Sequence, residues 1–459
     1  MRMNANKRME EMIVKRIVAV LLSLILAMSL VGTAFAEDAP KYIDDNAATM
    51  TGSVRMLTAY AGSVGTDALI ADFNKYYPNI EVTYEVYTNN SDGNLTANAA
   101  IQAGKVDVIA SYDASQASFR WENGLLLDIT DRLAADGLDL VKEWGTDAYT
   151  YEGRCYYFPC AATTIFVAIN MTAWQEAGLG ELPSSWTWNE YLEACRKMTK
   201  RDENGNVVVY GGTDFNQRQY WINYMRQTKG VDAYYTADGQ ADFTSGLAAT
   251  ILQRELDAEA EGIWYPKINL ITNSTKSRDL LLTGVAASCI ESIITRFITN
   301  LEKYPHDFIL GYAPIPVNNE GEYNYTLAPL PTEGYSVTAN AQDPDAAYAF
   351  AKFASTYGSK YMYSAGHAST WTGINPDEIV DLVFGSAENA AKYVDVDSYI
   401  AYNIAAGHQS YVDKNITAYN AIATLVDEYT DYILSGEMTV EQGLAELNEA
   451  ANDAISSAQ

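Results

Sequence analysis

The chain has 459 residues, a formal net charge of −29, and 34 tyrosines beside 8 tryptophans and 12 phenylalanines. That length predicts two or three domains with ample core. A balance this acidic disfavours nucleic acid and anionic lipid as partners, since both bind through lysine and arginine.

The charge selects no ligand, because exposed charges are screened beyond roughly 8 Å at physiological salt. Four cysteines make no disulfide scaffold. Cys155 and Cys160 share one extended segment, which sets their Cα atoms about 16 Å apart, too far to bridge. His306, His367 and His408 are scattered, and the chain holds no H-E-x-x-H, C-x-x-C or G-x-S-x-G motif. Zinc hydrolysis and a serine elbow therefore lose support. The expectation is no catalytic residue, no metal site and no cofactor.

The chain opens with Arg2, Lys7, Arg8, Lys15 and Arg16 against Glu10 and Glu11, then an uncharged apolar run from Ile17 to Val31, then Ala34-Phe35-Ala36. These are the n-region, h-region and cleavage site of a secretory signal peptide. The run is shorter than the roughly 20 residues a spanning helix needs, and an uncleaved anchor is the alternative. The first cysteine is Cys155, so no thiol stands at the cleavage point for lipid. The predicted mature protein begins near Glu37, is exported to the periplasm or the extracellular space, and carries no lipid anchor.

Glu37 to Thr51 is polar and small, a flexible lead-in. Strands are predicted at Val54–Thr58, Ile80–Tyr87 and Val106–Ala110, with helices at Thr66–Tyr77 and Leu95–Ala103 between them. This alternation predicts α/β layers around a largely parallel sheet. Tyr151–Pro159 is a turn entering a strand, and Thr163–Asn170 is a second strand. Thr187 or Asn189 caps a helix running from Asn189 to Thr199. Further strands fall at Val207–Tyr210 and Val285–Ile290, with helices at Phe243–Ala260 and Ser277–Thr283. Phe308–Val317 is extended, because Pro314 and Pro316 forbid helix. Pro344–Tyr357 is helical, and the last 80 residues are expected to be helical throughout.

Several segments resemble one family in order. Phe73 to Val82 (F-N-K-Y-Y-P-N-I-E-V) is similar to its helix-to-strand turn. Ala103 to Val108 is similar to its G-x-x-P-D-V approach to the cleft, with Val106 in place of proline. Gly124 to Thr130 resembles G-L-L-x-D-L-T. Gly153 to Pro159, followed by Val167 to Asn170, resembles G-K-x-Y-x-x-P…Y-N, with Ile169 in place of tyrosine. Pro183 to Trp186 resembles P-x-T-W, and Asp343 to Phe353 resembles the N-P-E-A-A-x-x-F-x-K-F helix. The family is extracellular solute-binding protein family 1, the sugar-binding components of ABC importers. The resemblance covers nearly all of the chain beyond the leader.

It implies a two-lobed, type II-like periplasmic-binding-protein clamshell with three inter-lobe crossings, near Cys160–Thr164, Tyr312–Pro316 and Gly366–Gly373. The N-terminal lobe would be residues 52–162 and 314–368, and the C-terminal lobe 163–313 and 369–459. A monomer delivering a carbohydrate to membrane permease subunits is implied. Open α/β sheets bind ligands at the carboxyl ends of their strands. The candidate ligand residues therefore follow predicted strands, lie at crossings or, for Glu333 and Tyr335, lie in the loop after Pro331: Tyr60, Tyr112, Asp113, Thr163, Thr164, Asn216, Tyr220, Trp221, Glu291, Ser292, Glu333, Tyr335, His367 and Trp371. Carboxylates and amides pair with sugar hydroxyls, and aromatic faces cover the apolar side of the ring. Asp113 equally fits a helix N-cap, Trp221 fits a core nearly as well, Tyr335 equally fits the surface, and His367 fits an ordinary structural place better than a ligand contact. Glu291, directly after a buried strand, has no evident structural duty. Trp186, Trp188 and Cys289 are assigned to packing. Two other functions stay open: a secreted carbohydrate-active enzyme with a hidden carboxylate pair, and a binder of a peptide or phosphate ester.

Overall fold

The computed structural model describes residues 41–112, 114–145, 150–322, 333–404 and 417–458. The proposed leader and Asp113 lie outside them. The strands of the two main sheets are β1 (Thr51–Thr58), β2 (Asn79–Val86), β3 (Val108–Ser111), β4 (Phe158–Ala162), β5 (Phe166–Asn170), β6 (Ser288–Glu291), β7 (Leu310–Pro314), β8 (Glu333–Val337) and β9 (Ala368–Ser369). The first sheet has six strands in the order β9-β4-β8-β3-β1-β2, and the second has three, β6-β5-β7.

In the first sheet β1, β2 and β3 run parallel. Strand β8 is antiparallel to both β3 and β4, and β9 is antiparallel to β4. The central strands β3, β4 and β8 are buried throughout, whereas the edge strand β2 is largely exposed on one face. The helix Pro344–Ser355 covers this sheet. Proline opens its first turn, the Asp343 carboxylate accepts the Ala346 N–H, and every residue from Ala346 to Ser355 is buried.

The second sheet is covered on both faces, which is why its strands are apolar without interruption. Val167 and Ile169 of β5 face a core that contains Trp186, Trp188, Tyr191 and Trp264, while Phe166 and Ala168 face a second core with Ile379, Phe384 and Tyr399. Trp186 and Trp188 are packing residues as expected, and Thr187 caps the helix Trp188–Met198 in a reciprocal pair with Glu190. All four cysteines are free and buried.

Three expectations need correction. The lead-in is not loose up to Thr51. Tyr42 and Ala47 are buried, Tyr77 Oη donates to Asp44 Oδ2 at 2.7 Å, and Lys352 Nζ lies 2.7 Å from Asp44 Oδ1. Small polar composition concealed one aromatic and one aspartate with buried partners. The C-terminal region is not one helical run, because the helices Pro376–Phe384, Ala387–Ala390 and Val396–Tyr399 are separated by turns. Finally, Pro314 pairs with Phe166 and Ile315 packs in the core with Trp186 and Trp188 on the second sheet, whereas Trp371 packs in the core of the first sheet. The chain thus leaves the second sheet later than residue 314, and the first sheet later than residue 369.

Candidate functional site

Strand direction determines what shares an edge. The carboxyl ends of β1, β3 and β4 lie on the same edge of the first sheet as the amino ends of β8 and β9. The residues at those ends are Tyr60, Tyr112, Thr163, Glu333 and His367. Sites in α/β proteins form at such edges because loops can project functional groups there while the strands hold them rigid.

His367 is the hub. Its Nε2 lies 2.7 Å from Tyr60 Oη, and its Nδ1 lies 3.0 Å from Glu333 Oε1 and 3.3 Å from Thr163 Oγ1. With a hydrogen on Nδ1, the ring donates towards Glu333 and Thr163, and Nε2 accepts from the Tyr60 hydroxyl. Burial, with the Glu333 carboxylate second, pushes the Tyr60 phenol far above its ordinary value, so it stays a donor. Tyr112 meets Tyr60 edge-on with ring centroids 4.7 Å apart, and its hydroxyl bonds Thr58 Oγ1 at 2.6 Å.

Glu333 is 4% exposed, and its Oε2 is buried with no hydrogen-bond partner among the described residues. A register shift between Glu333 and Gly334 places it outside the alternation of β8. Glycine is required there, because a Cβ on Gly334 would sit 2.2 Å from Phe158 O.

Across from this group, Thr163 and Ser292 share a cavity of about 260 Å³ whose other walls include Gln217, Tyr220, Asn223, Arg226 and Tyr234. Phe215 and Tyr220 stack with centroids 4.4 Å apart and form its aromatic wall. Asn216 lies half-buried in the same turn, and Thr164 is buried beside Thr163. Behind the turn sits a buried charge cluster. Lys267 Nζ is 2.5 Å from Asp214 Oδ2 and 3.5 Å from Glu255 Oε1, and Lys267 N donates to Glu259 Oε1 at 2.8 Å. Tyr224 Oη donates to the other Asp214 oxygen. Among the described residues, no three His, Cys, Asp or Glu side chains are grouped to hold a metal ion.

The sequence model of the bacterial extracellular solute-binding proteins matches residues 62–361, more than half of the chain. The chain belongs to that family. Its fold is that of the family's two-lobed members. A sugar transporter structure from Rhizobium etli in an open conformation superposes with a TM-score of 0.71 at 16% identity, covering 87% of this chain and 98% of that one. An ABC substrate-binding protein from Listeria monocytogenes in complex with cycloalternan gives 0.65 at 17% identity, over 89% and 100%. A cyclic alpha-maltosyl-1,6-maltose binding protein from Arthrobacter globiformis gives 0.63 at 18%, over 89% and 100%. No curated protein matches the sequence. Among the described residues no helix is long and apolar enough to cross a membrane.

Four candidates have side chains engaged within the fold and do not line this cavity. Glu291 is a helix anchor: its Oε2 accepts from Ser277 Oγ at 2.9 Å and from the Arg278 N–H at 3.3 Å, and its Oε1 accepts the Ser292 N–H at 2.9 Å. It thereby satisfies donors at the start of the helix Ser277–Leu282, a duty invisible in sequence because the partners are 13 to 14 residues away. Trp221 is wholly buried and donates to Thr430 Oγ1 at 2.9 Å. Tyr335 is buried in β8 with its ring against Phe350, and Trp371 packs on Tyr357 and donates to Glu143 Oε2 at 3.2 Å. Sequence reasoning missed Gln217, Asn223, Arg226 and Tyr234. Asn223 was within reach, because it sits three residues beyond Tyr220 on the same helical face.

Proposed function

We propose that this protein is an exported solute-binding protein that captures a carbohydrate between its two lobes and delivers it to an ABC importer. The observation that carries the reading is the convergence at one sheet edge of Tyr60, Tyr112, Thr163, Glu333 and His367, facing a cavity with amide and aromatic walls. Carboxylate, amide and hydroxyl groups suit a ring of hydroxyls, and the Tyr60–Tyr112 and Phe215–Tyr220 pairs suit its apolar face. The carbohydrate ligands named for the Listeria and Arthrobacter structures support the same ligand class. Residues 1–36 serve as a cleaved export signal without lipid attachment. The mature chain acts as a monomer, has no catalytic role of its own, and hinges at three crossings between its lobes.

Calorimetry with glucose, maltose, trehalose, raffinose and mannitol tests this reading, and saturable binding of at least one is expected. No binding to any of them, with binding to oligopeptides or phosphate esters instead, would overturn the ligand class. Hydrolysis of a glycan by the purified protein would overturn the assignment as a binder.

A further inference from the structure

The geometry points to His367 as the positioning residue of this cleft and the latch of its hinge. One imidazole fixes Glu333 so that a single carboxylate oxygen is left for a ligand hydroxyl, and it also ties together the chain segments that join the two sheets. The ligand half of this inference rests on the carbohydrate reading; the hinge half does not.

The partners of His367 come from distant parts of the chain. Thr163 lies in the link from β4 to β5, between the first sheet and the second. Glu333 is the first residue of β8, where the chain has returned from β7 to the first sheet. His367 follows Ala365 and Gly366, which touch the second lobe. Arg296 Nη1 donates to Ala365 O at 3.3 Å, and a Cβ on Gly366 would meet Ile293 at 3.0 Å. Lobe closure is absorbed by a few residues at such element ends. Three of these boundary segments meet on one ring, and Tyr60 adds the loop after β1.

Both ring nitrogens are in use, Nε2 on Tyr60 and Nδ1 on Glu333 and Thr163. The contact occupies Glu333 Oε1 and leaves Oε2 buried and unpartnered among the described residues. A buried acceptor without a donor is unfavourable. A hydroxyl delivered into the closed cleft relieves it, so the imidazole determines both where that hydroxyl binds and how the segments around it sit.

The latch can be tested without a ligand. The native cysteines are buried, so spin labels attach at Val86→Cys and Val208→Cys, which are 53% and 55% exposed, one on each lobe. His367→Leu should shift or broaden the inter-lobe distance distribution of the ligand-free full chain. His367→Gln, whose amide can donate to Glu333 and accept from Tyr60, should restore it. Tyr60→Phe, which keeps the ring, should broaden it less than His367→Leu. In calorimetry with glucose, maltose, trehalose, raffinose and mannitol, His367→Leu should lose about tenfold or more in affinity for whichever binds the parent, and His367→Gln less than about threefold. If none binds the parent, the carbohydrate reading fails and the distances alone decide the latch. An unchanged distance distribution in a folded His367→Leu, or no rescue by His367→Gln, overturns the latch.

Discussion

Each sheet ends in a buried glutamate at the edge facing the cleft, and the two have opposite fates. Glu291, at the end of β6, is 0% exposed and has donors on both oxygens. Glu333, at the start of β8, is 4% exposed and, among the described residues, has a partner on one oxygen only. Burial alone therefore does not mark a binding carboxylate. The number of partners does, because a carboxylate fully satisfied by its own fold has nothing left to offer a ligand.

The largest expected effect separates the pair by stability. Glu291→Ala removes a carboxylate that neutralises Arg278, 3.5 Å away, and satisfies a helix start. It should cost about 3–5 kcal/mol in urea unfolding, with sugar binding by the surviving folded fraction unchanged. Glu333→Gln should do the reverse. Affinity should fall about tenfold to a hundredfold, the worth of a charge-assisted hydrogen bond, while unfolding stability stays within about 1 kcal/mol. Equal losses of stability in the two variants would erase the distinction.

The second lobe also holds carboxylates that are buried together, and these respond to pH. Burial, with the neighbouring Asp214 carboxylate adding to it and Lys267 opposing, pushes Glu255 up to about 8; burial likewise pushes Glu259 up to about 7. The ordinary value for both is 4.5. The folded state therefore holds more protons than the unfolded state between about pH 5 and 8, and stability falls as pH rises through that window. A loss on the order of 1–2 kcal/mol in urea unfolding is expected between about pH 7 and 8 alone, and Glu255→Gln should flatten the slope. The smallest effect belongs to Tyr60→Phe. Loss of its hydroxyl bond to His367 should cost about 0.5–1.5 kcal/mol in binding and leave Glu291 and its helix untouched.

What the sequence disclosed follows from the range of each interaction. Local periodicity located β1 to β3 and β5 to β7 to within a few residues but missed β8, read as a loop after Pro331, and β9, and Thr187 declared itself as a cap through Glu190, three positions away. The cleft edge was legible because strand ends can be read one at a time. The roles at that edge were not. His367 and Tyr60 are 307 positions apart, and nothing local marks either as a partner of the other. Glu291 misled for the same reason, because its satisfaction comes from a helix that merely passes nearby. Trp221 and Tyr335 carry the residue types of a sugar site, but the helix face and strand face on which they sit turn them into cores.

The docked segment around Tyr42 and Asp44 has a practical consequence. Asp44 is held by Tyr77, just ahead of the amino end of β2 and so at the edge of the first sheet opposite the cleft. A fluorescent protein fused ahead of residue 41 would leave from that far edge, and a sensor built this way would report on the mouth without standing in it.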